Sequence, residues 1–150
     1  MKIITILEKH IELIDFLCKD MDGELHVLTN EKLLDRFSTD EIELEALSVK
    51  SPIANTYIIY VRENVSEKVL CHEIVHIKQF ISGDLDYNLA ENTYFWKGKV
   101  YRSNEISYFS RPWEKEAFDQ QKDLLAKWKE YKKEKYPKKK CKLVEKLFGK

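Results

Sequence analysis

Apolar positions recur along this chain with two different periods, and the changes of period divide it into elements. In ILEKHIELIDFLCKDM, residues 6–21, Leu7, Ile11, Ile14 and the Leu17/Cys18 pair are spaced by three and four. That is the stripe of an amphipathic helix, with His10 at the edge of the core. Asp22-Gly23-Glu24 marks a turn, and EKLLDRF (31–37) predicts a second short helix ahead of the Ser38-Thr39-Asp40 cluster. EIELEALSV (41–49) and NTYIIYVREN (55–64) carry the apolar, β-branched and aromatic density of strands.

Asn64 followed three residues later by Glu67 forms a capping-box-like pattern, with Ser66 as an alternative cap. A helix therefore starts here and runs to a stop at Ser82-Gly83-Asp84. On it, Val69, Leu70, Ile74, Val75, Ile77, Phe80 and Ile81 leave almost no polar face, the pattern of a helix buried all round. YFWKGKVY (94–101) sets Lys97-Gly98 between aromatic and β-branched runs, a β-hairpin signal. Its aromatics, Tyr94, Phe95, Trp96 and Tyr101, read as hairpin packing. Pro112 then opens a long helix, in the first turn where its missing N–H costs nothing, and that helix carries on toward Pro137. KLVEKLF (142–148) reads as a last turn or two. With no repeat and no linker, the expectation is an α+β fold: one domain over residues 1–136, a small mixed sheet packed on the buried helix and on the later one, and a C-terminal tail over 137–150.

Composition narrows the class. The 150 residues, 43% of them hydrophobic and 12% aromatic, suffice for one core. No apolar run approaches the roughly 18 residues of a membrane span, and the N-terminus has charges where a signal peptide keeps an apolar centre. Cys18, Cys71 and Cys141 are widely spaced with no CxxC, which argues against a disulfide framework and a thiolate zinc cluster. A cytoplasmic protein is the expectation. The zero net charge hides an asymmetry: residues 126–150 hold eleven lysines and three glutamates, a local +8, leaving −8 for the rest. Such a tail suits nucleic acid or an acidic partner, and is equally the pattern of a solvated helix end.

The candidate chemistry lies in LCHEIVHIKQF, residues 70–80. His72 and His76, four apart, share one helix face and can present two imidazole nitrogens to a single tetrahedral ion, Zn2+ above all. Glu73 is about 100° further round, off the ligand pair yet within reach of a water at the ion's open position, the place of a general base. Shuffled composition yields about 0.01 HExxH matches in a chain like this. Two imidazoles and a carboxylate on an otherwise apolar helix are costly to bury unless mutually satisfied, and a metal satisfies them most simply. Catalytic zinc usually takes a third protein ligand. HExxHxxGxxH is excluded by Gln79 and Ser82 at the glycine and third-histidine positions, and the helix opening RPWEKEAF offers Glu114 and Glu116. Tyr108 and Arg111, just before that helix, are candidates for stabilising negative charge in a transition state. Cys71, beside the first histidine, points elsewhere and reads as core.

HExxH followed by Glu114-Lys115-Glu116-Ala117 resembles the gluzincin-type zincins, including small ImmA/IrrE-like peptidase domains of bacteria and phages, in which a glutamate of an ExxA-like motif on a later helix completes the metal site. The resemblance spans about residues 55–125 and rests on those two motifs. It implies a zincin-like fold, Glu114 as the third ligand, and Ala117 as the small residue that lets the two helices approach. Many gluzincins carry an aspartate four positions after the glutamate ligand; this chain has Phe118 there and Asp119 one place later. The expected function is zinc-dependent hydrolysis of peptide or protein substrates with Glu73 as base. The competing expectation is a non-proteolytic zinc-binding interaction module.

Overall fold

The computed structural model describes residues 1–137. The described residues form four α-helices and two sheets, a mixed α+β architecture. The larger sheet has the order β1-β2-β4-β3, from β1 (Lys2–Thr5), β2 (Glu24–Thr29), β3 (Ala46–Lys50) and β4 (Thr56–Val61). β1, β2 and β4 run parallel, and β3 pairs antiparallel with β4 at the edge. The smaller sheet is an antiparallel meander of β5 (Leu85–Asn88), β6 (Thr93–Trp96) and β7 (Lys99–Arg102). The helices are α1 (Ile11–Cys18), α2 (Glu31–Phe37), α3 (Glu67–Ser82) and α4 (Pro112–Lys135). Among the described residues no helix is long and apolar enough to cross a membrane.

The central strands alternate as their sequences require. Leu25 and Val27 of β2 stand in register with Tyr57 and Ile59 of β4, and Leu25, Val27, Ile59 and Val61 are fully buried. Each such side chain stabilises the fold by about 1.5–3 kcal/mol relative to exposure. Gly23 permits the approach of β2 to the loop before β4: its φ is +110°, and a Cβ there would stand 2.6 Å from the carbonyl oxygen of Asn55. That same oxygen accepts from the Glu24 N–H at 2.9 Å.

Sequence and structure differ at several points. The amphipathic segment 6–21 is helical only from Ile11 to Cys18, preceded by a 3-10 turn over Glu8–His10. Its N-terminal neighbour β1 is claimed by the sheet through pairing with β2, a partner more than twenty residues away. β1, β2 and β5 are strands that the sequence pattern left unassigned. The strand expected over 41–49 begins only at Ala46, where pairing with Val61 starts. Ser66, not Asn64, caps α3, its hydroxyl accepting the Val69 N–H at 3.2 Å. Gly83 ends that helix in the left-handed region at φ 80°. Lys97 and Gly98 both take positive φ, as a two-residue I′ hairpin turn requires. His10 is buried, with Nε2 3.0 Å from the Val65 carbonyl oxygen. Residues 142–148 and most of the basic segment lie outside the described residues.

Two long helices dominate the interior. α3 packs against α4, β3, α1 and β5 and is buried almost all round, from Leu70 to Phe80. α4 buries Trp113, Glu114, Ala117, Gln121 and Trp128; from Glu114 on, these are three, four and seven apart on one face. At its far end Phe16 of α1 stacks on Tyr131 at 4.7 Å between ring centroids, and Trp128 Nε1 donates to Glu67 at the start of α3. Lys135 Nζ reaches Glu12 at 2.9 Å. α4 is thus held at both ends against α3 and α1, which sets the position of its first turn.

Candidate metal centre

The i, i+4 spacing on α3 brings the Nε2 atoms of His72 and His76 to 3.2 Å from each other. Opposite them, Arg111 is extended and Pro112 begins α4, so that Glu114 lies in the helix's first turn. One oxygen of Glu114, Oε1, is 2.9 Å from His72 Nε2 and 3.1 Å from His76 Nε2. All three residues are only 6% exposed. A tetrahedral ion with bonds of about 2.0–2.2 Å has ligand–ligand edges of about 3.3–3.6 Å, and the three observed edges, 2.9, 3.1 and 3.2 Å, are a few tenths of an ångström shorter. These residues could hold a metal ion.

The outer nitrogens of the two rings leave the inner ones available as ligands. His76 Nδ1 lies 2.8 Å from Gln79 Oε1. The orientation of that amide is set by its other end, since Gln79 Nε2 donates to the Trp113 carbonyl at 3.0 Å and to Glu116 Oε1 at 3.2 Å. Nδ1 must therefore be the donor, and a neutral His76 turns a lone pair inward from Nε2. His72 repeats the arrangement with Gln121 Oε1 at 2.7 Å from its Nδ1. With both Nδ1 atoms as donors, two lone pairs and a carboxylate oxygen converge in a buried space, a set of acceptors that a shared cation satisfies.

A proton can play that part. Burial opposes ionisation of Glu114, yet hydrogen bonds with His72 and then His76 hold its carboxyl well below the usual carboxylate range. Burial also works against charge on His76, but the hydrogen bond and charge of Glu114, followed by the charge of Glu73, raise its pKa from 6.5 to about 9. The centre is built for positive charge.

Glu73 is 7% exposed and takes no part in the three-atom cluster. Its carboxylate accepts from the Ser48 hydroxyl on β3. It lines a cleft of about 510 Å³ together with His72, Tyr108, Phe109, Phe118, Gln121, residues 42–46 and the lysines 68 and 122. Burial, then the negative charges of Glu114 and Glu73, push the Tyr108 phenol far above its ordinary range, so it remains an O–H donor. Phe118 packs its ring 4.6 Å from that of His72.

The structure brings His72, Glu73, His76, Glu114 and Tyr108 together. Arg111 lies apart from the cleft lining, its guanidinium over the rings of Tyr94, Tyr108 and Trp113 at 4.9, 5.7 and 5.9 Å. Glu116 accepts from Gln79 and lies 3.8 Å from Lys97 Nζ, one layer behind the cluster. Cys71 is fully buried, and burial pushes its thiol up to about 12. Sequence reasoning missed Gln79, Gln121 and Ser48. A polar residue three positions after His76 on an apolar helix was a usable signal for Gln79, and the two-turn spacing from Glu114 was one for Gln121. Ser48 had none. Comparison with protein-family models, with curated proteins and with solved structures finds no match to this chain.

Proposed function

We propose that this chain is a zincin-like, zinc-dependent peptidase acting on peptide or protein substrates, with His72, His76 and Glu114 as the metal ligands. The observation that carries the reading is the division of labour between neighbours on α3. His72 joins the acceptor cluster, while Glu73 keeps its carboxylate out of it and lines the cleft beside Tyr108. A purely structural zinc site has no use for a buried carboxylate at that position. Bound there, zinc supplies a Lewis acid and brings the pKa of a coordinated water to about 7. Glu73 takes the proton released as water adds to the peptide carbonyl, and delivers it to the departing amine. Tyr108, kept as a neutral donor, supports the negative charge that develops on the carbonyl oxygen.

Metal analysis of the purified protein, with comparison of wild type and Glu73→Gln on a proteome-derived peptide library, tests the reading. The expected result is one zinc per chain in both proteins and cleavage by the wild type alone, a loss of at least about 10²-fold. Cleavage that survives Glu73→Gln refutes the mechanism. Stoichiometric zinc with no cleavage in either protein leaves a metal-binding interaction module instead.

A further inference from the structure

Glu73 is a buried carboxylate with a single side-chain partner. Among the described residues, the only hydrogen bond recorded for its carboxylate comes from Ser48 Oγ, and it has no ion pair. The same hydroxyl lies 3.2 Å from the Glu73 backbone carbonyl oxygen. Ser48 sits on β3, the edge strand of the larger sheet. Two residues earlier on that strand, and so on the same face, Ala46 belongs to the lining of the cleft. One strand therefore both borders the cleft and grips the residue assigned as base.

We propose that Ser48 is a positioning residue that holds the Glu73 carboxylate at the cleft, an assignment that rests on the peptidase reading for Glu73's role as base. The two acceptors within reach of the one hydroxyl let it serve Glu73 through a whole turnover. With Glu73 as carboxylate, the serine O–H donates to it. Once Glu73 has taken a proton from water, its own O–H donates to Ser48 Oγ and the serine proton turns to the Glu73 carbonyl. The proton then passes to the amine as the C–N bond breaks, and the first arrangement returns. Water is divided between the new carboxyl and the new amine, and Ser48 ends with the proton it began with. The strand holding Ser48 begins at Ala46, and that residue together with the preceding segment 42–45 lines the cleft.

The test uses the full chain loaded with zinc, as wild type, Ser48→Ala, Ser48→Thr and Glu73→Gln. The infrared band of the Glu73 carboxylate, isolated as the difference between wild type and Glu73→Gln, needs no substrate. Ser48→Ala is expected to move it to higher frequency, as a carboxylate does on losing its donor, and Ser48→Thr to return it. On peptides that the wild type cleaves, Ser48→Ala lowers kcat by roughly tenfold to a hundredfold, with KM within about twofold, and Ser48→Thr recovers most of it. A band that stays in place in Ser48→Ala overturns the assignment. So does a fall in kcat that threonine fails to repair. A band that moves and returns in a protein without any cleavage upholds Ser48 as the residue holding Glu73 and defeats only the peptidase reading.

Discussion

Gln79→Ala isolates the contribution of the layer behind the proposed metal ligands. Gln79 is 2% exposed, and its amide does two things at once: Oε1 accepts from His76 Nδ1 at 2.8 Å, and Nε2 donates to the Trp113 carbonyl at 3.0 Å. Truncation leaves a buried N–H and a buried carbonyl without these partners, at about 1–3 kcal/mol for each group that finds no water. A net loss of about 2 kcal/mol corresponds to a fall in Tm of roughly 4–8 °C for a chain of this size. The zinc effect is separate. Without its acceptor, His76 is free to adopt the other tautomer, which puts the proton on Nε2, the atom 3.1 Å from Glu114. Loss of such outer partners weakens metal affinity by about 10- to 100-fold, or roughly 1.4–2.7 kcal/mol. Competition against a chelator of known affinity, well below the Tm of the variant, measures the second effect free of the first. Gln79→Ala that binds zinc as tightly as wild type would refute the claim that Gln79 sets the His76 tautomer.

Glu114→Ala should lose zinc affinity by far more than Glu116→Ala, since Glu114 contributes an oxygen to the cluster and Glu116 only steadies Gln79; the reverse ranking in the same competition would transfer the ligand role. On the proposed reading zinc displaces the proton that His76 holds, and with a pKa of about 9 its apparent affinity should climb roughly tenfold per pH unit up to about pH 9 and level off above, a slope that isothermal titration in several buffers would show as proton release. After chelation the sign is opposite. The raised His76 pKa contributes stability that is fully present below 6.5 and is lost as pH rises through about 9, so the Tm of chelated protein should fall across that window; a Tm that rises there contradicts the pairing with Glu114.

The helices and the first two residues of the candidate metal cluster were legible because the signals are local. A spacing of four on a helix puts His72 and His76 on one face whatever else the chain does, and the apolar surround of α3 already required it to be buried. The Lys97-Gly98 hairpin was readable for a similar reason, since its turn demands a positive φ within two adjacent residues. β1 and β2 were not legible. Four and six residues long, they become strands through parallel pairing with segments far away in sequence, which no local period records. The third residue of the cluster shows the same boundary inside the site. Glu114 and Glu116 are two residues apart, about 200° around a helix, so spacing alone narrowed the choice to these two, and only the resemblance to the gluzincins favoured Glu114. The packing of α4 on α3, anchored at its far end by Phe16, Trp128 and Glu67, turns Glu114 inward with Ala117 and Gln121 and leaves Glu116 in the layer behind. Ser48 is the extreme case: a serine on an edge strand carries no mark of its role, and only the tertiary structure, by laying β3 against α3, places its hydroxyl on the carboxylate of Glu73.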